Sequence, residues 1–192
     1  MENERKYQII RAAVKRFAKH GPGKTTLDEI ARDLRIGKAT IYHYFSSKEE
    51  LFYRAIEWES EQFIEEVNSI FSNEALSVRE KFVTYFRCKE GFNNKYKLLY
   101  ELFLLLMNDE SFEKEKEILK TMMGKEQLII EMVLNPIFRK KAEKTIPSLP
   151  IMLVNASWGW SFGSKLQQLT NCDGLVLPSE TLEFLIQSIL PD

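Results

Sequence analysis

A short segment, residues 38 to 44, concentrates side chains that suit contacts with nucleic acid. A lysine reaches guanine acceptors, a threonine hydroxyl or histidine nitrogen can hydrogen-bond base edges, and a small apolar group can contact the thymine methyl. The residues of these types, assigned to base contacts, are Lys38, Ala39, Thr40 and His43. Nearby hydroxyl groups and a second lysine suit backbone phosphates, which fix position without reading sequence. The residues assigned to phosphates are Thr25, Thr26, Tyr42, Tyr44 and Lys48.

Two short helices joined by a tight turn are predicted to position these side chains. The apolar face of the first has the i, i+3, i+4, i+7 spacing of an amphipathic helix and consists of Leu27, Ile30, Ala31 and Leu34. Thr26 and Glu29 fit a capping box at its start. After a turn at residues 35–37, Ile41 and Phe45 lie four apart and can anchor the second helix. The other side of that helix then suits a major groove.

A third helix and the distribution of charge support a local binding face. The stripe that precedes the two helices has the same spacing and consists of Ile10, Ala13, Val14 and Phe17. The first 50 residues hold 11 Lys and Arg against 7 Asp and Glu, whereas the remainder holds 16 against 21. A basic quarter on an acidic body favours one nucleic-acid face. The alternative to a DNA-binding face is an ordinary corner between helices, whose polar side is merely solvated.

Over about residues 5–55 the chain resembles the TetR (tetracycline-repressor-like) family of bacterial transcription regulators. The residues that carry the resemblance are Ala13, Phe17, Gly21, Thr26, Ile30, Ala31, Ile41, Tyr42, Tyr44, Phe45, Lys48 and Leu51. The runs 40–45 and 48–51 are its most specific part. Two positions depart from the family pattern: Arg35 stands where glycine is usual, and Gly37 where serine or threonine is usual. A left-handed backbone at Arg35 would cost roughly 1 kcal/mol.

The resemblance implies an all-α protein: a three-helix helix-turn-helix DNA-binding domain over residues 1–47, then a larger helical ligand-binding and dimerisation domain over 48–192. Hydrophobic spacing, caps and breaks independently predict a series of helices after residue 46. Breaks are expected at residues 91–94, at Gly124 and at the loop 171–178. The predicted helices are 48–71, 77–89, 96–107, 111–123, 125–141, 151–169 and 179–190.

The carboxy-terminal body contains enough aromatic surface to line a ligand cavity. Small-molecule pockets are mostly apolar with a few polar groups, so an apolar or aromatic effector is expected. The candidate pocket residues are Trp58, Phe63, Phe82, Tyr85, Phe86, Tyr100, Phe103, Gln127, Asn155, Trp158 and Phe162, with Ser157 as a further polar candidate. Simple filling of a core is the alternative for each aromatic residue.

A homodimer on a palindromic operator is expected, because two-fold dimers read two half-sites. Gly159 and Gly163 stand four apart beside Ala156, which would let another helix approach closely, and the final helix carries an apolar stripe. That stripe consists of Leu182, Leu185, Ile186 and Ile189. Packing within one chain is the alternative for the glycine pair, and the TetR resemblance favours the dimer. The expected mechanism is repression relieved by ligand through the helix that begins at Lys48.

Composition excludes several other classes. Of the 192 residues 44% are hydrophobic, enough for a sizeable core. The amino terminus is charged, and the near-apolar runs 98–107 and 149–162 are shorter than the roughly 18 residues of a membrane span, so a cytoplasmic protein is expected. Cys88 and Cys172 suggest neither a disulfide framework nor a zinc site. No metal or cofactor is predicted.

An enzyme is not expected. Residues 18–25 nearly match the phosphate-binding loop GxxxxGK[ST], with Ala18 for the first glycine, but that loop needs a preceding strand and a helical stripe precedes it here. Both histidines, His20 and His43, fall in the region predicted to bind DNA. A helical dimeric adaptor without DNA binding stays open as an alternative.

Overall fold

A computed structural model describes residues 2–107, 112–140, 148–170 and 179–190, and within these ranges every regular element is a helix. The helices are α1 (Glu2–Lys24), α2 (Leu27–Leu34), α3 (Lys38–Tyr44), α4 (Lys48–Ser72), α5 (Val78–Glu90), α6 (Phe92–Lys95), α7 (Lys97–Leu106), α8 (Glu113–Lys140), α9 (Leu149–Thr170) and α10 (Ser179–Ile189). The predicted all-α fold class is therefore confirmed.

The chain divides into two compact units. The first unit consists of Met1–Phe63 and Tyr96–Met122, and the second unit of Ile64–Lys95 and Met123–Asp192. Two of the three divisions between them fall inside long helices, α4 and α8, and the third falls between α6 and α7. The predicted boundary between residues 47 and 48 separates two functions, DNA binding and effector binding, rather than two compact units. It stays a prediction.

In the first unit, α1 packs against α2 and α7, and α2 packs against α3. The predicted capping box at the start of α2 is present: the Glu29 backbone N–H donates to the Thr26 hydroxyl, and the Thr26 backbone N–H donates to the Glu29 carboxylate. Arg35 ends α2 in the left-handed conformation, with φ 55° and ψ 44°. The turn thus has the geometry that glycine would adopt more easily.

A buried carboxylate joins α4 to α7 within the first unit. The Leu99 backbone N–H donates to Glu59 Oε2 over 2.7 Å, so a side chain of α4 caps the first turn of α7. Glu59 is only 4% exposed. Burial raises its pKa to about 7, although the Leu98 and Leu99 N–H groups act in the opposite direction.

In the second unit, α5 packs against α9 and α10. Ser77 caps α5 in a reciprocal box with Glu80. The Arg79 guanidinium donates to the Leu190 carbonyl just beyond the end of α10, over 3.1 Å from Nη2, and Arg87 forms an ion pair with Glu183 of α10. The end of α10 is therefore held by hydrogen bonds from α5.

One predicted break is wrong, and another is shorter than predicted. Gly124 lies inside the continuous helix α8, because a buried stripe passes it on both sides and outweighs the roughly 1 kcal/mol that a helical glycine costs. That stripe consists of Leu119, Met122, Glu126, Ile130 and Leu134. Of the break predicted over residues 91–94, Gly91 separates α5 from α6, and the other three residues belong to the single helical turn α6. Ser111, Cys172 and the predicted loop 171–178 lie outside the described residues.

Candidate nucleic-acid interface

Helix α3 presents one continuous exposed face. Lys38, Ala39, Tyr42 and His43 are all exposed and follow i, i+1, i+4, i+5 spacing. Ile41 on the other side is fully buried, as is Phe45 just after the helix. Burial of these two anchors fixes the rotation of α3, so the four exposed side chains must point away from the core.

Lys38 is already paired on this face. Its ammonium lies 2.7 Å from Asp28 Oδ2, in the first turn of α2. The hydrogen bond to Asp28 raises the Lys38 pKa, so the side chain stays charged at neutral pH. Both side chains are exposed to solvent, at 44% for Lys38 and 58% for Asp28. A surface pair of this kind exchanges readily for another anion, such as a phosphate.

The other residues predicted to contact DNA differ in burial and in hydrogen-bond partners. Thr40 and Tyr44 are half-buried, and the Thr26 hydroxyl is engaged in the capping box. Thr25 is buried, and its hydroxyl donates to the Gly21 carbonyl over 2.8 Å. Lys48 is half-buried as well, and its ammonium donates to the Pro22 carbonyl over 2.8 Å. The hydrogen bonds from Thr25 and Lys48 to backbone carbonyls were not predicted from the sequence. Both carbonyls lie where the backbone leaves helical geometry, at Gly21 with φ 75°.

An ion-pair cluster that the sequence gave no sign of ties α1 to α2. The Arg16 guanidinium donates to both oxygens of Asp33, over 2.6 and 2.7 Å, and lies 3.4 Å from Glu29. The hydrogen bond from Arg16 lowers the Asp33 pKa. The fork-shaped contact fixes geometry as well as charge, and so holds α2 at a defined angle on α1. No short sequence pattern links residues so far apart.

Phosphate-loop chemistry finds no support at residues 18–25. Helix α1 precedes this segment, and no strand occurs in the described part of the chain. The Thr25 hydroxyl, which would bind a metal ion in such a loop, donates a hydrogen bond to the Gly21 carbonyl instead. Among the described residues no group of three or more histidine, cysteine, aspartate or glutamate side chains could hold a metal ion.

Comparisons with known proteins agree with this three-helix corner. Residues 9–55 match the family described as bacterial regulatory proteins, tetR family. Over these residues the chain is similar to the tetR family. It is 46% identical over 52 residues to the uncharacterized HTH-type transcriptional regulator YhgD of Bacillus subtilis, covering 27% of each chain. It is 36% identical over 52 residues to the negative transcriptional regulator IcaR of the biofilm operon icaADBC in Staphylococcus epidermidis, covering 27% of this chain and 28% of that one.

The chain spans only about a quarter of the length of these curated relatives. Solved structures match nearly all of it. The regulator FadR from Bacillus subtilis, in complex with stearoyl-CoA, superimposes with a TM-score of 0.71 at 19% identity, covering 96% of this chain and 99% of that one. The reduced form of NemR from E. coli gives 0.73 at 14% identity, covering 96% and 97%. At such identities the likeness shows the fold alone.

The predicted pocket residues divide between the two units. Trp58, Phe63, Tyr100 and Phe103 belong to the first unit, and the other seven belong to the second. Phe63 contacts the Tyr96 ring edge-on, and the Arg11 guanidinium lies 5.7 Å from the Trp58 ring. In the second unit Gln127 donates to Glu131, and Asn155 is exposed. Neither of these amides lies in a buried polar site.

Sequence reasoning missed a buried charged cluster in the second unit. Lys89 and Glu126 are both fully buried, with the Lys89 ammonium 2.6 Å from Glu126 Oε1. Tyr85 donates to Glu126 over 2.7 Å, and the Trp158 indole N–H donates to it over 2.9 Å. The Tyr85 hydroxyl also lies 2.6 Å from the Ser157 hydroxyl. Burial lowers the Lys89 pKa and raises that of Tyr85 well above its usual value.

The residues predicted for a dimer interface separate into buried and exposed groups. Leu182 and Ile186 face the interior of the second unit, whereas Leu185 and Ile189 are exposed on α10 together with Phe184. On α9 the exposed stripe consists of Ile151, Met152, Asn155, Ala156 and Gly159. A side chain at Gly159 would meet nothing within 4 Å, so that position is open.

A cleft that the sequence did not predict opens in the first unit. Its volume is about 500 Å³, and it lies beside the contact between Lys48 and Pro22. Its aromatic walls are Phe52, Tyr53 and Phe112, and the Lys114 ammonium lies 4.4 Å from the Tyr53 ring. No helix in the described ranges has the length and hydropathy that a membrane crossing requires.

Proposed function

We propose that the protein is a dimeric, sequence-specific DNA-binding transcription regulator. The observation that carries this proposal is the exposed α3 face of Lys38, Ala39, Tyr42 and His43, held outward by buried Ile41 and Phe45. The match of residues 9–55 to the tetR family and the names of the curated relatives, which are transcription regulators, support it. The functional boundary in this proposal lies between residues 47 and 48.

A polarisation titration with the gene's own upstream DNA tests DNA binding. We expect selective binding to a palindromic segment at moderate salt, because each protomer would insert one α3 into a major groove. A scrambled duplex of equal length and composition is the control. Equal affinity for both duplexes would contradict the proposal and favour the adaptor that binds no DNA.

Base and phosphate roles can be separated by variants. Base contacts are proposed for Lys38, Ala39, Thr40 and His43, and Thr40→Ala should relax base preference by about 1–3 kcal/mol at one position. Phosphate contacts are proposed for Thr26, Tyr42, Tyr44 and Lys48, of which Lys48 would exchange its bond to the Pro22 carbonyl for a phosphate. Lys48→Ala should weaken binding to all sequences and reduce the salt slope by about one.

Thr25 has the weakest support among the proposed phosphate contacts. Its hydroxyl is buried and donates to the Gly21 carbonyl, so a phosphate contact would require that bond to break. Thr25→Val keeps the shape and removes the hydroxyl. If Thr25 contacts phosphate, this variant should weaken binding to every duplex at an unchanged salt slope, because a neutral hydroxyl displaces no counterion, whereas a purely structural hydroxyl would change only stability.

We propose a homodimer formed by α9 and α10. The support is the pair of exposed apolar strips, one with the open position at Gly159 and one with Phe184, Leu185 and Ile189. Buried Leu182 and Ile186 then fill the core of the protomer rather than the interface. Gly163 and Ala156 would lie beside Gly159 at the contact. Gly159→Leu should give monomers in sedimentation, with Gln187→Leu, on the same pair of helices, as the control.

We further propose repression relieved by a small molecule bound in the second unit. The bacterial FadR structure of the same fold is a complex with stearoyl-CoA, which supports a ligand with an apolar portion. Ligand would act through α4, which contributes residues to both units. To reverse a 99:1 preference for the DNA-binding state, it must favour the other state by about 5.5 kcal/mol. Mass spectrometry of small molecules released from the purified protein would identify a candidate.

A further inference from the structure

The buried cluster of the second unit surrounds an ammonium group with aromatic rings. The Lys89 ammonium lies 3.2 Å from the Trp158 ring centroid, 5.6 Å from that of Tyr85 and 5.8 Å from that of Phe92. Glu126 supplies a carboxylate oxygen 2.6 Å away. Aromatic faces combined with a carboxylate are the groups that recognise organic cations in proteins.

The carboxylate and the rings that surround the Lys89 ammonium hold one another in place. Glu126 Oε2 accepts the Trp158 indole N–H, and Oε1 accepts the Tyr85 hydroxyl. The Phe92 and Trp158 rings meet edge-on, with centroids 4.9 Å apart and planes at 79°. Rings and carboxylate therefore fix one another, whereas the ammonium stands at the end of the flexible Lys89 chain. The ammonium is the group of this cluster that a change of side-chain rotamer could withdraw.

Stability alone does not explain a charged pair here. Both side chains are fully buried, and removing two charges from water costs more than their attraction returns unless the geometry is very good. Apolar residues of similar volume would stabilise the core at least as well. A buried ionisable cluster lined by aromatic rings is therefore a candidate functional site.

We infer that Tyr85, Phe92, Trp158 and Glu126 form a binding site for an organic cation, which the Lys89 ammonium occupies until a cationic effector replaces it. This inference rests on the proposed ligand-responsive regulator and names its ligand class: an amine or quaternary ammonium with an apolar or aromatic body. An anion could approach only Lys89, and it would meet the Glu126 carboxylate and the negative faces of three rings. The fixed groups therefore select for positive charge.

The test compares three probes of similar size at one ionic strength: 2-phenylethylammonium, 2-phenylethanol and 3-phenylpropionate. With the wild-type protein, we expect saturable quenching of tryptophan fluorescence and a raised Tm for the cation alone. In Lys89→Ala, which removes the resident ammonium, the cation should bind at least tenfold more tightly. Preference for the anion, equal response to all three probes, or no response of the wild-type protein to the cation would each overturn the inference.

A double variant keeps the test independent of folding defects. Lys89→Met with Glu126→Gln removes both buried charges at nearly constant volume, so it should fold and should no longer distinguish the cation from the alcohol. A double variant that still prefers the cation would place the binding elsewhere and overturn the inference. A folded double variant also covers the case in which Lys89→Ala does not fold.

Failure of this inference is distinguishable from failure of the proposed function. Binding to the upstream DNA is measured first without probe, and then with the cation at saturation. We expect the cation to release DNA from the wild-type protein and not from the double variant. Selective DNA binding that the cation leaves unchanged would overturn the cationic effector and keep the DNA-binding regulator, whereas absent DNA binding would contradict the regulator itself.

Discussion

Each unit of the molecule contains a lysine–carboxylate pair with nearly the same separation. In the first unit, Lys38 and Asp28 are 2.7 Å apart, and their side chains are 44% and 58% exposed. In the second unit, Lys89 and Glu126 are 2.6 Å apart and both are fully buried. The difference between the pairs therefore lies in their surroundings rather than in their geometry.

The surroundings determine what can replace each partner. Water and salt screen the exposed pair, so a DNA phosphate can compete with Asp28 for Lys38. The buried pair is shielded from mobile ions, and its attraction is several times stronger at the same distance because the local dielectric is lower. Only a ligand that enters the cluster can substitute for Lys89. One pair suits a polyanion at the surface, and the other a small molecule.

The largest expected effect comes from removing one partner of the buried pair. Glu126→Gln leaves the Lys89 ammonium without its carboxylate in the core, and we expect it to lower the free energy of unfolding by about 3–5 kcal/mol at neutral pH. Because burial lowers the Lys89 pKa and the Glu126 carboxylate counteracts that effect, the lysine of the variant loses its proton at a lower pH than that of the wild type, and the loss of stability should shrink as pH rises toward 8. Urea denaturation at several pH values measures the loss of unfolding free energy and its dependence on pH.

The matched control is Asp28→Asn in the exposed pair. The same chemical change at the surface should leave the denaturation midpoint close to that of the wild type, because solvent replaces the lost partner. Equal destabilisation by the two variants would show that burial does not distinguish the pairs, and it would contradict the comparison.

Glu59 extends the comparison to a buried carboxylate capped by backbone N–H groups. Its folded-state pKa of about 7 exceeds the ordinary 4.5, so the folded protein binds more protons than the unfolded chain between these values. Stability should therefore fall as pH rises from about 4.5 to above 7, by at most about 3 kcal/mol, and level off beyond. Protonated Glu59 contributes its full stabilisation at the acidic end.

Glu59→Gln isolates this contribution, because glutamine does not titrate. The difference in free energy of unfolding between wild type and variant, measured at pH 5 and pH 8, should change in favour of the variant at the higher pH. A difference that is independent of pH would mean that the folded and unfolded pKa values of Glu59 coincide, and that backbone donors fully offset its burial.

The sequence predicted what depends on neighbours along the chain. Thr26 and Glu29 lie three residues apart, so their capping box is a local pattern, and the structure confirms it. Spacing alone also identified Ile41 and Phe45 as the buried anchors of α3. The composite motif over residues 5–55 indicated the similarity to the tetR family that residues 9–55 show, because a helix-turn-helix corner is specified by residues close in sequence.

Features that depend on tertiary packing were missed or misjudged. Gly124 was predicted to end a helix, but burial on both sides of it maintains α8. Lys89 and Glu126 come from separate helices, and charged residues in sequence are normally taken as solvated, so no local signal indicated their pairing. The hydrogen bond from the Thr25 hydroxyl to the Gly21 carbonyl was also not predicted, and the phosphate contact of Thr25 stays a prediction.

The smallest expected effect concerns DNA affinity and returns to the exposed pair. Asp28→Asn removes a negative charge beside the α3 face and releases the Lys38 ammonium, so we expect severalfold tighter binding to every duplex and a salt slope steeper by about one. Discrimination between the palindromic and scrambled duplexes should fall, because an ammonium held by Asp28 is directed, whereas a released one can contact any phosphate.

Glu4→Gln, an equal charge change at an exposed site of α1, is the control for net charge. If both variants tighten binding equally, only long-range charge is at work. If Asp28→Asn instead weakens binding to the palindrome, Asp28 orients Lys38 for base contact.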